Sequence, residues 1–588
     1  MPLAPRTRMG ANGAPMSGTE ERMVRNVLFV MFDQLRFDYL SCAGHPHLHT
    51  PHIDALAARG VRFTNVTVQS PICGSSRMSF YTGRYVHSHG AQRNNYPLKV
   101  GEQTLGDHCR AGGADCFLIG KTHMEADAAG MARLGLQPDS VIGARVAQCG
   151  FDVVVRDDGL WSQGPDGFYD ERRSPYNAYL RAKGYPGENP WHDHANAGRD
   201  RDGDLASGWF MANASLPANI REEDSETPWL TSRCIEFLDA PGRDDQPWLA
   251  HLSYIKPHWP YIVPAPYAGM YGPEHVVPPV RSPDERRDPH PVFAAYMDTA
   301  VARAFCRDAV RETVVPAYMA LIKQCDDQIG RLVAHLEATG RMEDTMIVLT
   351  SDHGDYLGDH WLGEKNFLHD PAIKVPLIVY DPRAAADATR GTTCDALVEA
   401  IDCAPTMLEA MGVEAPERTL GHVLEGRSLL PWIQGRQPDT WREHAFCEFD
   451  YTMSPMQRAL DLAHADARAF TVFDGRWKLI HFEGGSRPML FDLRDDPHEL
   501  VDRGADPASR AEIDRLMAAL GAWARRLCQR TAISDAELDA MTGRGARRGI
   551  LLGLHGPDEV PKAAASGDLA APIRPRPVPD MRDPDMRD

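Results

Sequence analysis

The chain has 588 residues, of which 43% are hydrophobic and 25% are charged, and it carries a formal net charge of −19 at pH 7. This composition is typical of a folded globular protein and excludes a mainly disordered chain, a fibrous repeat and a membrane bundle. So acidic a chain disfavours nucleic acid as a partner, because nucleic-acid binding depends on cationic side chains that meet phosphates. A small anionic substrate would need a local cluster of cations or a metal ion.

Residues 1–24 are rich in Gly, Pro and polar side chains, and they predict a flexible N-terminal tail without the apolar core of a secretory signal. No stretch of 18 apolar residues occurs, so we expect neither a transmembrane helix nor a membrane partner. The twelve cysteines are scattered and form no Cys-x-x-Cys pair, which disfavours a zinc ribbon. Together these features predict a reduced, cytoplasmic protein.

Buried strands alternate with amphipathic helices along most of the chain. Three apolar runs have the length and composition of buried strands, namely Asn26–Phe32, Met346–Thr350 and Pro376–Tyr380. His52–Arg59 and Ala317–Thr339 have helical spacing, and each is followed by a glycine. This alternation predicts an α/β catalytic domain over residues 25–439, with a mainly parallel central sheet flanked by helices. Ligands of such sheets bind beyond the carboxyl ends of the strands.

The pattern changes in two later regions. From about 151 to 230 the periodicity is weak and Gly, Pro, Asp and Trp are frequent, which predicts a long, partly irregular insertion over the site. After residue 440, three short segments separated by Asp-Gly and Gly-Gly turns predict an antiparallel sheet, namely Phe470–Phe473, Trp477–Phe482 and Met489–Leu493. A helix over Ala511–Leu527 completes a smaller α+β subdomain at 440–530. Residues 531–588 are Pro- and Ala-rich and predict a tail, or an arm over a neighbouring subunit.

Two pairs of polar residues directly follow predicted buried strands, Asp33-Gln34 and Asp352-His353. Two carboxylates, an amide oxygen and an imidazole could meet at one cation. Oxygen-rich ligation favours Ca²⁺, while the imidazole leaves Mn²⁺ and Mg²⁺ open. The alternative is that these residues only cap helices and form turns after the strands.

Cys73 precedes Arg77 by four residues at the start of a predicted helix. A sulfur at a helix N-terminus beside a fixed cation has a lowered thiol pKa, and the same arrangement suits anion binding. Further candidates are Lys121 and His123 in GKTH, His258 in KPHWPY, and Lys365. The alternatives are a buried inert cysteine, solvated surface lysines and structural histidines.

Eight fragments in order resemble the type I sulfatases and their relatives, the phosphonate monoester hydrolases, both of the alkaline phosphatase superfamily. The fragments cover about residues 25 to 530 and are NVLFVMFDQLRFDYL, TPHIDALAARGVRFTN, SPICGSSRMSFYTGRY, GKTHM, KPHWPY, CDDQIGRL, TSDHGDYLGDHWLGEK and LFDLRDDPHELVD. The resemblance implies an α/β core with a smaller C-terminal antiparallel sheet and helix. It also implies dimers or tetramers and a formylglycine-generating enzyme as maturation partner.

The resemblance further implies a set of site residues. The divalent metal, Ca²⁺ first, would be held by Asp33, Gln34, Asp352, His353 and residue 73. Cys73 would be oxidised to formylglycine, whose hydrate attacks sulfur, with Arg77 holding it and Asp352 as base. Lys121 and Lys365 would stabilise charge on the ester oxygens, His258 would protonate the leaving oxygen, and His123 would accept the proton that releases sulfate. Asn94 matches a substrate-binding position of the phosphonate hydrolases.

Two residues depart from the family patterns. Ser75 stands where Pro or Ala is usual, and Lys121 and His123 are present although the phosphonate hydrolase branch tends to lack them. We therefore expect a sulfate monoester hydrolase with phosphonate-hydrolase features. The alternatives are a phosphonate monoester or phosphodiester hydrolase with the same machinery, and an unmodified protein that only binds anionic esters.

Overall fold

The computed structural model describes the chain over residues 24–94, 96–137, 140–159, 174–413 and 424–525. All of these residues belong to one compact unit. The predicted N-terminal tail, apart from Val24, lies outside the described residues, and so does the predicted arm at 531–588. No helix of the described part is long and apolar enough to cross a membrane.

A central sheet of eight strands organises the main part of the chain. In chain order the strands of the described residues are β1 Asn26–Asp33, β2 Val61–Thr67, β3 Pro97–Leu98, β4 Asp115–Gly120, β5 Glu125–Ala126, β6 Asp152–Arg156, β7 Ala197–Arg199, β8 Leu205–Ser207, β9 Trp248–Pro257, β10 Thr345–Ser351, β11 Leu377–Tyr380, β12 Thr392–Glu399, β13 Ala445–Asp450, β14 Arg468–Phe473, β15 Trp477–Phe482 and β16 Met489–Asp492. The central sheet has the order β12-β2-β11-β10-β1-β9-β4-β6. Only β11 among these strands runs antiparallel to its neighbours, so the predicted mainly parallel sheet is confirmed.

Helices cover both faces of this sheet. The α-helices of the described residues are α1 Pro51–Arg59, α2 Cys73–Thr82, α3 Val86–His89, α4 Leu105–Ala111, α5 Ala128–Leu134, α6 Val141–Ala147, α7 Pro175–Ala182, α8 Glu226–Leu238, α9 Pro291–Met297, α10 Ala300–Phe305, α11 Asp308–Ala338, α12 Asp370–Ile373, α13 Cys403–Ala410, α14 Leu430–Ile433, α15 Pro455–Ala459 and α16 Arg510–Ala524. Strand β1 shows how the core is divided, because successive side chains of a strand point to opposite faces. Val27, Phe29 and Met31 enter one apolar layer. Leu28 and Val30 enter the other.

The predicted second sheet is confirmed in the C-terminal region. Strands β13 to β16 form a four-stranded antiparallel sheet, and helix α16 packs on it. Leu479 of the sheet and Leu516 and Trp523 of the helix share one apolar cluster. The predicted irregular insertion differs in one respect, because residues 152–156 form the edge strand β6 of the central sheet. The remainder has only short elements, among them α7 and the β7–β8 hairpin.

Candidate active site

The two acidic residues predicted from the strand ends lie side by side. Asp33 is the last residue of β1 and Asp352 follows β10, and these neighbouring strands are parallel, so their carboxyl ends share one edge of the sheet. Cys73 is the first residue of α2 and lies beside them. Ligand atoms of Asp33, Cys73, Asp352 and His353 all lie within 4.8 Å of one another, and all four residues are buried.

Arg77 joins the two carboxylates from one turn along α2. Its Nε donates to Asp352 Oδ2 at 2.8 Å and its Nη2 donates to Asp33 Oδ2 at 3.2 Å. Its Nη1 donates to Ser253 Oγ at 2.7 Å and to the Lys121 carbonyl at 3.0 Å. The guanidinium therefore binds Oδ2 of each carboxylate, while Oδ1 of each lies near His353 Nε2.

The remaining donor atoms fit a single divalent cation. Asp33 Oδ1 lies 3.7 Å from His353 Nε2 and 3.8 Å from Cys73 Sγ, while Asp352 Oδ1 lies 3.6 Å from His353 Nε2. Such separations are those of neighbouring ligands around one ion that binds oxygen at about 2.3–2.6 Å. The donor set of two carboxylates with one imidazole suits Ca²⁺, Mn²⁺ or Mg²⁺ and does not select among them.

Gln34 turns its amide oxygen toward the same centre. Its Nε2 donates to Tyr261 Oη at 3.0 Å and to Asp355 Oδ2 at 2.5 Å, which leaves Oε1 as the acceptor for Lys365 Nζ at 3.2 Å. The backbone of Gln34 has φ 69°, and its N–H donates to Asp352 Oδ1 at 3.1 Å. Tyr261 and Asp355 therefore hold this side chain, and sequence reasoning did not identify either of them.

Two lysines bring positive charge to Cys73 and Asp33. Lys365 Nζ lies 3.0 Å from Cys73 Sγ, and Lys121 Nζ pairs with Asp33 Oδ2 at 2.5 Å. Burial alone would raise the pKa of the Cys73 thiol, but Lys365, His353 and Lys121 outweigh burial and hold that pKa well below its usual range. Both lysines are buried, so they are not the solvated surface lysines of the alternative interpretation.

The residues of the cluster also shift one another's pKa values. Burial and Cys73 oppose ionisation of Asp33, yet Lys121, His258 and Arg77 together lower the pKa of that carboxyl. Burial and Asp33 raise the pKa of Asp352. Burial disfavours the imidazolium of His353, but Asp352 overcomes this and raises the pKa of the imidazole.

His258 and His123 approach residue 73 from two further loops. His258 Nε2 lies 3.1 Å from Lys365 Nζ and 4.0 Å from Asp33 Oδ1, while its Nδ1 lies 2.6 Å from the Trp259 carbonyl. Burial and Lys365 lower the pKa of His258 to about 4. His123 interacts with Cys73 through its side chain. The loop of His123 is held by Asp158 Oδ1, which accepts from the His123 N–H at 2.8 Å.

Ser75 lies in the first turn of α2, and Asn94 contacts that turn from a separate loop. Asn94 Oδ1 accepts from the Gly74 N–H at 2.7 Å, so its amide oxygen satisfies a helix N-terminal donor next to Cys73. A Cβ at Gly74 would lie 3.0 Å from Asn94 Oδ1, which explains the glycine. Ser75 is fully buried, and its Oγ has no hydrogen-bond partner among the described residues.

Sequence reasoning missed the residues that orient the site. Asp355 and Tyr261 bind the Gln34 side chain and each other. Asp158 accepts from the His123 N–H and Ser253 accepts from Arg77, and all of these contacts join residues far apart in the chain. Asp355 lies three residues after Asp352 within the quoted TSDHGDYLGDHWLGEK fragment, and Tyr261 ends the quoted KPHWPY. Their positions in these fragments could have marked both residues as site candidates, but the spacing in the sequence does not show which side chain each one binds.

The α/β core with its mainly parallel sheet, and the buried acidic and cationic cluster at the strand ends, define a hydrolase of alkaline-phosphatase-like architecture. A family model described as "Sulfatase" matches residues 25–413, and one described as "N-sulphoglucosamine sulphohydrolase, C-terminal" matches residues 358–525. The chain therefore belongs to the sulfatase family, and the predicted resemblance is confirmed.

Proteins similar to this chain include an arylsulfatase and a phosphonate monoester hydrolase. The chain is 31% identical over 515 residues to the multifunctional alkaline phosphatase superfamily protein PehA of Trinickia caryophylli, covering 83% of this chain and 92% of the relative. It is 26% identical to an arylsulfatase of Clostridium perfringens, covering 84% and 93%. The phosphonate monoester hydrolase SpPMH of Silicibacter pomeroyi is similar in structure, with a TM-score of 0.73, 30% identity and coverage of 86% and 96%.

Proposed function

We propose that this sulfatase-family hydrolase cleaves sulfate monoesters with the side chain of residue 73 as the nucleophile. The observation that carries the proposal is the position of the Cys73 side chain at the centre of the cluster. Its sulfur lies 3.0 Å from both His353 Nε2 and Lys365 Nζ and 3.8 Å from Asp33 Oδ1. A nucleophile at this position has a fixed cation and a divalent-ion site directly beside it.

The proposal includes two groups that the family implies. Asp33, Gln34, Asp352, His353 and residue 73 would hold one divalent cation, Ca²⁺ first. When present, formylglycine at residue 73 supplies a hydroxyl nucleophile through its hydrate, and the cation supplies positive charge that lowers the cost of the developing anion. Arg77 keeps both carboxylates oriented through its bonds to Asp352 and Asp33.

The side chains around residue 73 transfer protons and stabilise negative charge during the proposed reaction. Asp352, one oxygen of which is free of Arg77, takes the proton of the attacking hydroxyl. Lys121 and Lys365 neutralise charge on the non-reacting ester oxygens. His258 Nε2 donates a proton to the leaving oxygen, and His123 accepts the proton whose loss from residue 73 releases sulfate. An anionic ester that engages Lys365 offsets its charge and so favours protonation of His258.

Phosphonate monoesters and phosphodiesters are the second candidate substrates. This candidate is favoured by the similarity of the chain to two phosphonate monoester hydrolases of known structure, each over 86% of this chain and one of them at 30% identity. These esters carry one negative charge, as sulfate monoesters do, and therefore suit the same site with one divalent cation. Binding without turnover by an unmodified Cys73 is the remaining alternative.

The expected partners and location belong to the same proposal. A formylglycine-generating enzyme would mature Cys73 in spite of Ser75, and the substrate would be a small anionic ester. The chain would act as a homodimer or homotetramer. A cytoplasmic location is supported by the eleven cysteines of the described residues, all of which are free thiols.

Two measurements on protein from its native host test the proposal. The mass of the tryptic peptide Phe63–Arg77 shows whether residue 73 is the aldehyde. Rates for 4-nitrophenyl sulfate and 4-nitrophenyl phenylphosphonate then compare two esters with the same leaving group. We expect the aldehyde, faster sulfate cleavage, and loss of both activities in Cys73→Ala. A faster phosphonate reaction would favour the second candidate, and unmodified thiol without turnover would refute hydrolysis.

A further inference from the structure

Aromatic side chains line the region next to His258. The rings of His258 and Trp259 are nearly parallel, with an interplanar angle of 10° and centroids 5.7 Å apart. Trp209 packs edge-on against Trp259, with centroids 4.7 Å apart at 89°. Trp209 is 36% exposed although it is a large apolar residue. We call Trp209 and Trp259 the aromatic wall.

The β7–β8 hairpin brings the first part of this wall to the site. The hairpin ends at Ser207, and Gly208 and Trp209 follow directly. Gly208 packs between the start of the hairpin and the loop after β9, because a Cβ at this position would lie 2.6 Å from the Asn196 carbonyl and 2.9 Å from Ile262 Cγ2. Only glycine permits that approach, and the approach carries Trp209 onto Trp259.

Lys256 fixes the second part of the wall. Its buried Nζ donates to Asn196 Oδ1 at 3.0 Å and to the Pro260 carbonyl at 3.0 Å. Asn196 directly precedes β7, and Pro260 directly follows Trp259. One ammonium group therefore ties the start of the hairpin to the loop that carries His258 and Trp259, and the wall is held in place before any ligand binds.

The leaving group of a bound ester would extend toward this wall. His258 Nδ1 is engaged by the Trp259 carbonyl, so Nε2 is the atom that faces Lys365 and residue 73. Under the proposed function, Nε2 protonates the leaving oxygen. The organic group attached to that oxygen then lies on the His258 side of the reaction centre, where Trp259 stacks on His258 and Trp209 packs on Trp259.

We propose that the aromatic wall is the leaving-group subsite of this enzyme and that it selects esters of aromatic alcohols. This inference rests on the proposed function for the position of the reacting atoms. Ring faces and edges stack on aromatic groups but give sugar hydroxyls few hydrogen-bond partners. Two cationic side chains adjoin His258: Lys365 bonds to its ring and Lys256 bonds to its carbonyl. These cations disfavour a quaternary ammonium leaving group.

A binding measurement tests the wall without turnover. Calorimetry would compare 2-naphthalenesulfonate with methanesulfonate, two anions that differ only in the group reaching the wall. We expect Trp209→Ala to weaken 2-naphthalenesulfonate about two- to tenfold, the range that one aromatic pair contributes, and to leave methanesulfonate unchanged. Trp477→Leu, which removes a partly buried tryptophan of the C-terminal sheet, is the control and should change neither affinity.

A kinetic comparison separates this inference from the proposed function. The ratio of kcat/KM for 2-naphthyl sulfate to that for hexyl sulfate should fall by a similar factor in Trp209→Ala and in Trp259→Leu. Equal losses of kcat/KM for both esters, or an unchanged affinity of Trp209→Ala for 2-naphthalenesulfonate, would refute the aromatic subsite and leave the proposed hydrolysis unaffected. Failure of the wild type to cleave any of these esters would overturn the proposed function, and the sulfonate affinities would still decide whether the wall binds aromatic groups.

Discussion

At the scale of single residues, Arg77 determines how the two carboxylates of the site are presented. Its planar guanidinium bonds one oxygen of Asp33 and one of Asp352, together with Ser253 Oγ and a backbone carbonyl. A lysine ammonium is a point charge and cannot reproduce this fork. The side chain is fully buried, so no water compensates for a lost bond.

We therefore expect Arg77→Lys to lower the affinity for the divalent cation about 10- to 100-fold, the usual cost of losing a group that orients metal ligands. Metal content after dialysis against graded free Ca²⁺ measures this. Arg84→Lys is the matched control, because Arg84 lies just beyond the end of α2 and pairs with Glu102 and Glu425 rather than with the site. Equal Ca²⁺ affinity in wild type and Arg77→Lys would contradict the assigned role.

At the scale of elements, the loop between β10 and β11 carries Lys365 and is anchored by the C-terminal sheet. Lys478 of β15 is buried, and its Nζ pairs with Asp370 Oδ1 at 2.5 Å and with Glu499 Oε1 at 2.6 Å. Glu499 Oε2 also accepts from the Asp370 N–H at 2.7 Å. Asp370 lies five residues after Lys365, so this ion pair network fixes the end of the catalytic loop.

Lys478→Met should destabilise the protein by about 3–5 kcal/mol, because it leaves the buried Glu499 and the half-buried Asp370 without the cation that they share. Chemical denaturation measures the change in the free energy of unfolding. Lys374→Met is the control, since Lys374 Nζ lies 3.7 Å from the same Asp370 but is more exposed, and such pairs contribute about 0–1 kcal/mol. If Lys478→Met lowers the free energy of unfolding by no more than the control does, the ion pair network does not anchor this loop.

The elements also show what the sequence could and could not predict. Strands β1 and β10 are buried on both faces, so their apolar runs and the acidic residues after them were visible as patterns. Strand β12 is largely exposed, and β13 buries Glu448 and Asp450, so neither has a simple hydrophobic period. The positions of Cys73 and Asp33 followed from motifs. The contacts of Asp355 and Tyr261 required the folded chain, because they join residues more than 90 positions apart.

At the scale of the whole molecule, an acidic protein places three buried cations around one residue. The chain has a formal net charge of −19, yet Arg77, Lys121 and Lys365 converge on residue 73. The carboxylates of Asp33 and Asp352 and the thiolate of Cys73 offset these three positive charges. A bound divalent cation would therefore restore the net positive potential that an anionic ester needs.

Removal of the divalent cation should for the same reason destabilise the whole fold. The proposed ligands lie on β1, on α2 and after the end of β10. A cation that binds only the folded chain adds about 2.7 kcal/mol to the free energy of unfolding when its free concentration is 100 times its Kd. We expect a chelator to lower the thermal midpoint and added Ca²⁺ to restore it. In Asp33→Asn, which removes a ligand charge, the chelator should have a much smaller effect. An unchanged wild-type midpoint after verified metal loss would contradict a cation at this cluster, because a ligand that bridges three core elements must contribute to their stability.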